Sequence, residues 1–221
     1  MLIGEDLLLM SLDVESGLPQ PGLMVVQTPK FLSACLLAEL AVQKQIGWTP
    51  QGVHVVDDLP NFHPLIDETL RAIKARGVQP TGAMISTTRY GVSRLVARHF
   101  DSLVDRGLLH PGSGKRYWLF GPRRYPVRST RARNEALAHL REAAIGERTS
   151  MRSVALLMLA NSIRATERLL EEAEVNEAQA RASTLSEEIR ADLPAAADWD
   201  ESASAIAMLV SISEQLPALL R

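Results

Sequence analysis

Residues 112–115 of this 221-residue chain read GSGK, a set that in a phosphate loop wraps a nucleotide's phosphates in backbone N–H groups. Such a loop needs a glycine five positions before Gly114 and a hydroxyl residue after Lys115. Leu109 and Arg116 stand there, so the segment reads as a hairpin turn. Asp57, Asp58, His63 and Asp67 could offer oxygen and nitrogen to a metal, but their spacing matches no ligand pattern, and carboxylates beside a helix start serve as caps. The five histidines (54, 63, 99, 110 and 139) fall in no H-E-x-x-H frame, and no G-x-S-x-G elbow exposes a serine. Cys35 lies in an apolar run and reads as a small packed hydrophobe; as the lone cysteine it forms no internal disulfide. The acid pairs Glu171–Glu172 and Glu187–Glu188 belong to solvated helix faces. The expectation is no catalytic residue, no metal and no cofactor: the chain is not an enzyme.

What remains is charge. Residues 71–131 hold thirteen Lys and Arg against two acids, Asp101 and Asp105, while the rest of the chain holds 11 bases and 24 acids. The formal net charge of −2 hides this separation. A surplus of +11 in 61 residues points to a polyanionic partner, a membrane surface or a nucleic acid. The bland alternative is a solvated basic face with no partner.

With 46% hydrophobic residues the chain has ample material for a core. Residues 2–12 suit a short helix with Glu5 and Asp6 near its positively polarised N-terminus. Residues 31–42 (FLSACLLAELAV) read as a buried helix, 53–56 as a short strand, and Pro64 opens a helix over 65–76 that Gly77 closes. Residues 91–106 form an amphipathic helix ended by Gly107, with Arg94 and Arg98 on one face. A β-hairpin follows around Pro111–Gly114, and then helices at about 129–145, 150–171, 173–191 and 199–216. The apolar stretch Val154–Ala160 belongs at the centre. The N-terminus MLIGEDLLLMSLD lacks the basic region of a secretory signal, and no uncharged apolar run reaches the roughly 18 residues of a membrane span. The expected architecture is mainly α: one helical domain over residues 1–221, around a central buried helix, with one protruding β-hairpin. It is expected to be cytoplasmic.

Two readings of the basic middle follow. One is a winged-helix DNA-binding regulator, with 91–106 as recognition helix and Lys115, Arg116, Arg123 and Arg124 on the wing. It needs a short helix and tight turn just upstream, where VQPTGAMISTTRYG (78–91) reads as a segment broken by Pro80 and Gly82. The other rests on the collinear series EDLLLMSLD, LLAELAVQKQI, VVDDLPNFHPLIDETL, LVDRGLL and RRYPV, which resembles the Golgi phosphoprotein 3 family and its bacterial relatives over roughly residues 1–215. The resemblance implies a helical core, a hairpin used in self-association and no enzymatic activity. It also implies peripheral membrane binding through phosphatidylinositol 4-phosphate and, in eukaryotes, an adaptor role retaining glycosyltransferases in the Golgi. A protein scaffold with no lipid contact is the third class.

The family's lipid pocket uses a Trp and an Arg before the first large helix and two arginines three apart on the helix before the hairpin. Here Met24 and Ser33 stand nearest the first pair, with Lys30 the only base in 22–34, and Ser93 and Val96 fall at the second pair. The basic face is kept while the headgroup-specific residues are not, as befits a bacterial-type member. The expected lipid-facing residues are Lys30, Arg89, Arg94, Arg98, Arg123 and Arg124. Lys115, Arg116, Tyr117, Trp118, Leu119 and Phe120 are expected to join copies into a homo-oligomer, because a two-stranded ribbon buries only one of its two aromatic faces. Expected partners are anionic membrane lipid headgroups, the chain itself and client membrane proteins, with no specific nucleic acid.

Overall fold

The computed structural model describes residues 1–61, 63–112, 124–146, 150–192 and 201–221. Its elements run α1 (Ile3–Ser11), a 3-10 turn (Met24–Gln27), α2 (Pro29–Val42), β1 (Ile46–Thr49), β2 (Gly52–Val55), α3 (Pro64–Arg76), α4 (Thr81–Gly91) and α5 (Leu95–Asp105). Then come α6 (Thr130–Ile145), α7 (Met151–Ser162), α8 (Thr166–Leu169), α9 (Glu172–Asp192) and α10 (Glu201–Leu220). The protein is mainly α, as the sequence indicates.

Helices α2 and α7 form the centre. Thr28 caps α2, its Oγ1 accepting from the Phe31 N–H at 3.3 Å, and Pro29 takes the first helical position, where its missing N–H costs nothing. Every residue from Phe31 to Ala41 is buried. Ser150 caps α7 in the same way, through the Ser153 N–H at 3.1 Å, and residues 153–160 are buried. Both helices bury all their faces because α1, α4, α6 and α10 surround them. The small residues Ala205 and Ala207 let α10 pack closely, and the Thr81 and Ser211 hydroxyls bond at 2.7 Å where it meets α4.

Helix α10 contains an 18-residue window, Ala203–Leu220, with a mean hydropathy of 1.5. The sequence expectation concerned uncharged runs, and Glu214 interrupts this one; the window is long and apolar enough by length and composition alone. Met208, Leu209, Val210, Ile212 and Leu216 of this helix are buried in the common core.

Four corrections concern local structure. The hairpin found among the described residues is β1–β2, paired antiparallel from Ile46↔Val55 to Thr49↔Gly52, with only its second strand expected. The expected hairpin around Pro111–Gly114 and its residues Lys115, Arg116, Tyr117, Trp118, Leu119 and Phe120 lie outside the described residues beyond 112. The helix expected over 91–106 is interrupted: Val92 is buried after the end of α4, and Arg94 sits at φ +52 before α5 begins. Residues 81–91, read as broken, form α4. Pro80 precedes its first turn harmlessly, and Gly82 lies against α10, where a Cβ would meet Gln215 Oε1 at 2.9 Å. Likewise 150–171 is split at Arg164, whose φ is +58.

The N-terminal helix is fastened by charge. Glu39 of α2 accepts the Ile3 N–H at 2.8 Å, and Arg152 of α7 bonds Glu39 at 2.9 Å, Asp6 at 2.7 Å and the Met1 carbonyl. Burial raises the Asp6 pKa above its usual value even with Arg152 beside it. Removing one partner of a buried ion pair strands the other's charge. Arg152→Met should cost about 3 kcal/mol of unfolding free energy in a urea titration at neutral pH; an unchanged midpoint would show that Asp6 and Glu39 do not depend on it.

His99 is fully buried, its Nδ1 2.9 Å from the Leu95 carbonyl oxygen and its Nε2 without a partner. Burial holds its pKa below 6.5. The unfolded chain therefore takes up the proton first, so the stability His99 contributes is complete above about pH 6.5 and drains away as the pH falls below it. His99→Gln should flatten the decline of the urea midpoint between roughly pH 7 and pH 5. An equally steep decline in the variant would assign it to other groups, His63 among them, whose pKa burial also lowers.

Candidate functional site

The residues expected to face lipid separate into three groups. Arg89 and Arg94 line one cleft of about 370 Å³ with Pro29, Val92, Leu95, Val96 and Ala97. Its walls are the N-terminus of α2, the end of α4 and the start of α5. Arg94 reaches it because the chain turns through a left-handed residue between the helices. Arg89 lies over the Tyr90 ring, its guanidinium carbon 5.1 Å from the centroid. Neither arginine is ion-paired among the described residues, and Arg94 is exposed.

Lys30 and Arg98 are spent on the fold. The Lys30 ammonium donates to the Leu219 carbonyl at 2.5 Å, satisfying the C-terminal end of α10. Arg98 grips Glu68 of α3 with both arms of its guanidinium, at 2.6 and 2.9 Å. The Arg98 hydrogen bond holds the Glu68 carboxyl below its usual range. Arg124 is exposed, but the chain next to it is tied elsewhere: the Tyr125 N–H donates to the Gly17 carbonyl at 2.9 Å, and its ring stacks on Phe100 at 4.1 Å. Arg123 lies outside the described residues.

The positions matched to the family's lipid pocket lie apart: only Val96 lines this cleft. Ser93 is exposed on the turn beside it, and Met24 is 69% exposed on the 3-10 turn leading into α2. Ser33 is buried, its hydroxyl donating to the Pro29 carbonyl at 2.8 Å. The cleft's cations come from neighbouring positions, Arg89 and Arg94. Tyr90, 78% exposed, is a surface aromatic the sequence reading passed over, because single-residue exposure leaves no periodic signal.

The metal cluster considered at Asp57, Asp58, His63 and Asp67 is instead a helix entry. His63 Nδ1 accepts from the Leu65 N–H at 3.2 Å, Asp67 accepts from the Asn61 N–H at 2.6 Å, and Asp58 pairs with Lys74. Among the described residues no group of three or more His, Cys, Asp or Glu could hold a metal. As for DNA, a short helix and tight turn do precede α5; of Arg94 and Arg98, either of which could reach bases in the winged-helix reading, Arg98 is held by Glu68, while Arg94 is exposed and in no ion pair among the described residues.

The architecture is that of a helical domain wrapped around a buried apolar helix, with a basic cleft at that helix's N-terminus. The chain belongs to the Golgi phosphoprotein 3 (GPP34) family, whose profile matches residues 3–206. No curated protein matches it.

If Lys30 serves the fold, Lys30→Met should lower the unfolding free energy by about 1 kcal/mol in urea. Stability equal to the parent chain would return Lys30 to the list of free surface cations.

Proposed function

We propose that this chain is a non-enzymatic peripheral membrane protein that holds anionic lipid headgroups in the cleft of Pro29, Arg89 and Arg94, and serves as an adaptor for client membrane proteins. The cleft carries this reading. It sets two arginines, neither ion-paired among the described residues, beside an exposed aromatic and near positions that the family resemblance links to lipid. A guanidinium fork matches a phosphate, and an exposed Tyr and Met suit the headgroup layer, where one end of a side chain is apolar and the other wet.

Each Arg near an anionic surface contributes about 1 kcal/mol, screened by salt within a Debye length. Binding is then driven by charge with little preference among anionic headgroups, because the family's Trp and Arg positions hold Met24, Ser33, Ser93 and Val96. Co-sedimentation with phosphatidylcholine vesicles containing phosphatidylserine should show binding that weakens as salt rises. Arg89→Gln with Arg94→Gln should reduce it about tenfold or more. Glu68→Gln, which releases Arg98, should strengthen it about fivefold. No association at low salt sinks the reading, and strong selection of one phosphoinositide would mean a headgroup-specific pocket. Self-association through residues 115–120 belongs to the same proposal; light scattering that finds a monomer at tens of micromolar removes it.

A further inference from the structure

A larger cleft, about 670 Å³, opens on the other side of the end of α4. It is lined by Glu68, Arg71, Ala72, Ala75 and Arg76 of α3 and by Thr87, Tyr90 and Gly91 of α4. The α3 residues recur every three to four positions, so they form one face of that helix. Helices α3 and α4 pinch together at Gly91, where a Cβ would come within 2.8 Å of the Ala72 Cβ. Small residues thus keep the floor of the cleft open.

Its charge is not balanced. Glu68, its one acid, is held at 2.6 and 2.9 Å by Arg98, which itself lines neither cleft. Arg71 spends only its Nε, on the Asp67 carbonyl at 3.3 Å, and Arg76 has no side-chain partner among the described residues. Both are exposed. Arg71, Arg76, Thr87 and Tyr90 therefore line one open volume, and their guanidinium and hydroxyl groups are donors of the kind suited to phosphate oxygens. The last turn of α4 is the wall between the two clefts, with Tyr90 on this side and Arg89 on the other.

We propose that the α3–α4 cleft is a second phosphate site, in which Arg71 and Arg76 take the phosphate of an anionic lipid headgroup while Arg89 and Arg94 hold another. The proposal rests on the membrane reading above. A lipid rather than a free phosphate is favoured because exposed Tyr90 sits on the ridge between the sites, where it would enter the headgroup layer. Two linked sites make the second capture intramolecular, so binding rises more steeply than linearly with the surface density of anionic lipid.

The test uses the full chain and phosphatidylcholine vesicles with increasing fractions of phosphatidylglycerol. Arg71→Lys with Arg76→Lys keeps the charge and its fit to the α3 C-terminus but removes the fork. With circular dichroism unchanged, it should bind about fivefold more weakly and lose the steep dependence on lipid fraction; Arg71→Gln with Arg76→Gln should lose about twentyfold. If the parent chain binds, Arg89→Gln with Arg94→Gln weakens it, and the lysine variant matches the parent, the second site is overturned and the membrane reading stands. If the parent chain binds no anionic vesicle, both fall together. Glycerol phosphate in solution, followed by NMR at the Arg71 and Arg76 side chains, distinguishes the source. Saturable binding there with no vesicle dependence on these arginines would assign the cleft to a free phosphate and overturn the lipid. Duplex DNA retained through the same arginines in place of vesicles would do so as well.

Discussion

Three buried carboxylates at the centre of the fold set the terms for the rest of the molecule. Glu5, Asp6 and Glu39 are each no more than 6% exposed, and Arg152 and Arg106 reach in to meet them. Glu39 accepts the Ile3 N–H at 2.8 Å and Glu5 the Leu2 N–H at 2.8 Å, so the carboxylates also satisfy the start of α1 and sit where its dipole favours them. A charge this deep is tolerated only when paired and hydrogen-bonded. That requirement joins α1, α2, α5 and α7 through contacts no apolar surface could specify. Apolar packing would let α1 slide along α2; the Arg152 fork allows one register. Glu5 Oε1 and His99 Nε2 are the buried polar atoms left unpartnered here, so the cluster is satisfied at all but its edge.

The sequence made the core legible because burial on every side leaves a composition signal. Residues 31–41 and 154–160 are apolar nearly throughout, and both lie at the centre. Caps were legible too: Gly77 ends α3 at φ +68, and Gly107 follows α5 at φ +70. Breaks made by ordinary residues were not. Arg94 and Arg164 adopt left-handed conformations that nothing in an arginine's identity announces, and each divides what periodicity reads as one helix. Helix α4 was hidden for the opposite reason: Pro80 and Gly82 suggest a break, yet each stands where a helix start tolerates it.

The site was half legible, and the cause is sequence separation. Arg98 meets Glu68 across 30 residues, Lys30 meets Leu219 across 189, and Arg106 meets Glu5 across 101. A linear charge count cannot see such pairings. Lys74, Arg98, Arg106 and Arg131 each find an acid from outside residues 71–131, in Asp58, Glu68, Glu5 and Glu135. The Lys74–Asp58 and Arg131–Glu135 pairs are exposed and stabilise the fold very little, so their main effect is on the field outside. They shrink the local surplus wherever they form.

The charge that remains is therefore defined by position more than by quantity. Among the described residues Arg71, Arg76, Arg89 and Arg94 make no ion pair, and all four line the clefts on either side of the end of α4. Arg124 and Arg128 are also exposed, away from the lining of either cleft. At the clefts the Arg98–Glu68 pair removes the one acid among the lining residues without adding a free cation, and Gly91 brings α4 close to α3 at the end that both clefts share. Recognition at such a surface depends on the spacing of guanidinium groups held by packed helices. The buried carboxylates contribute by holding α1, α2 and α5 in register, because α2 and α5 furnish two walls of the smaller cleft.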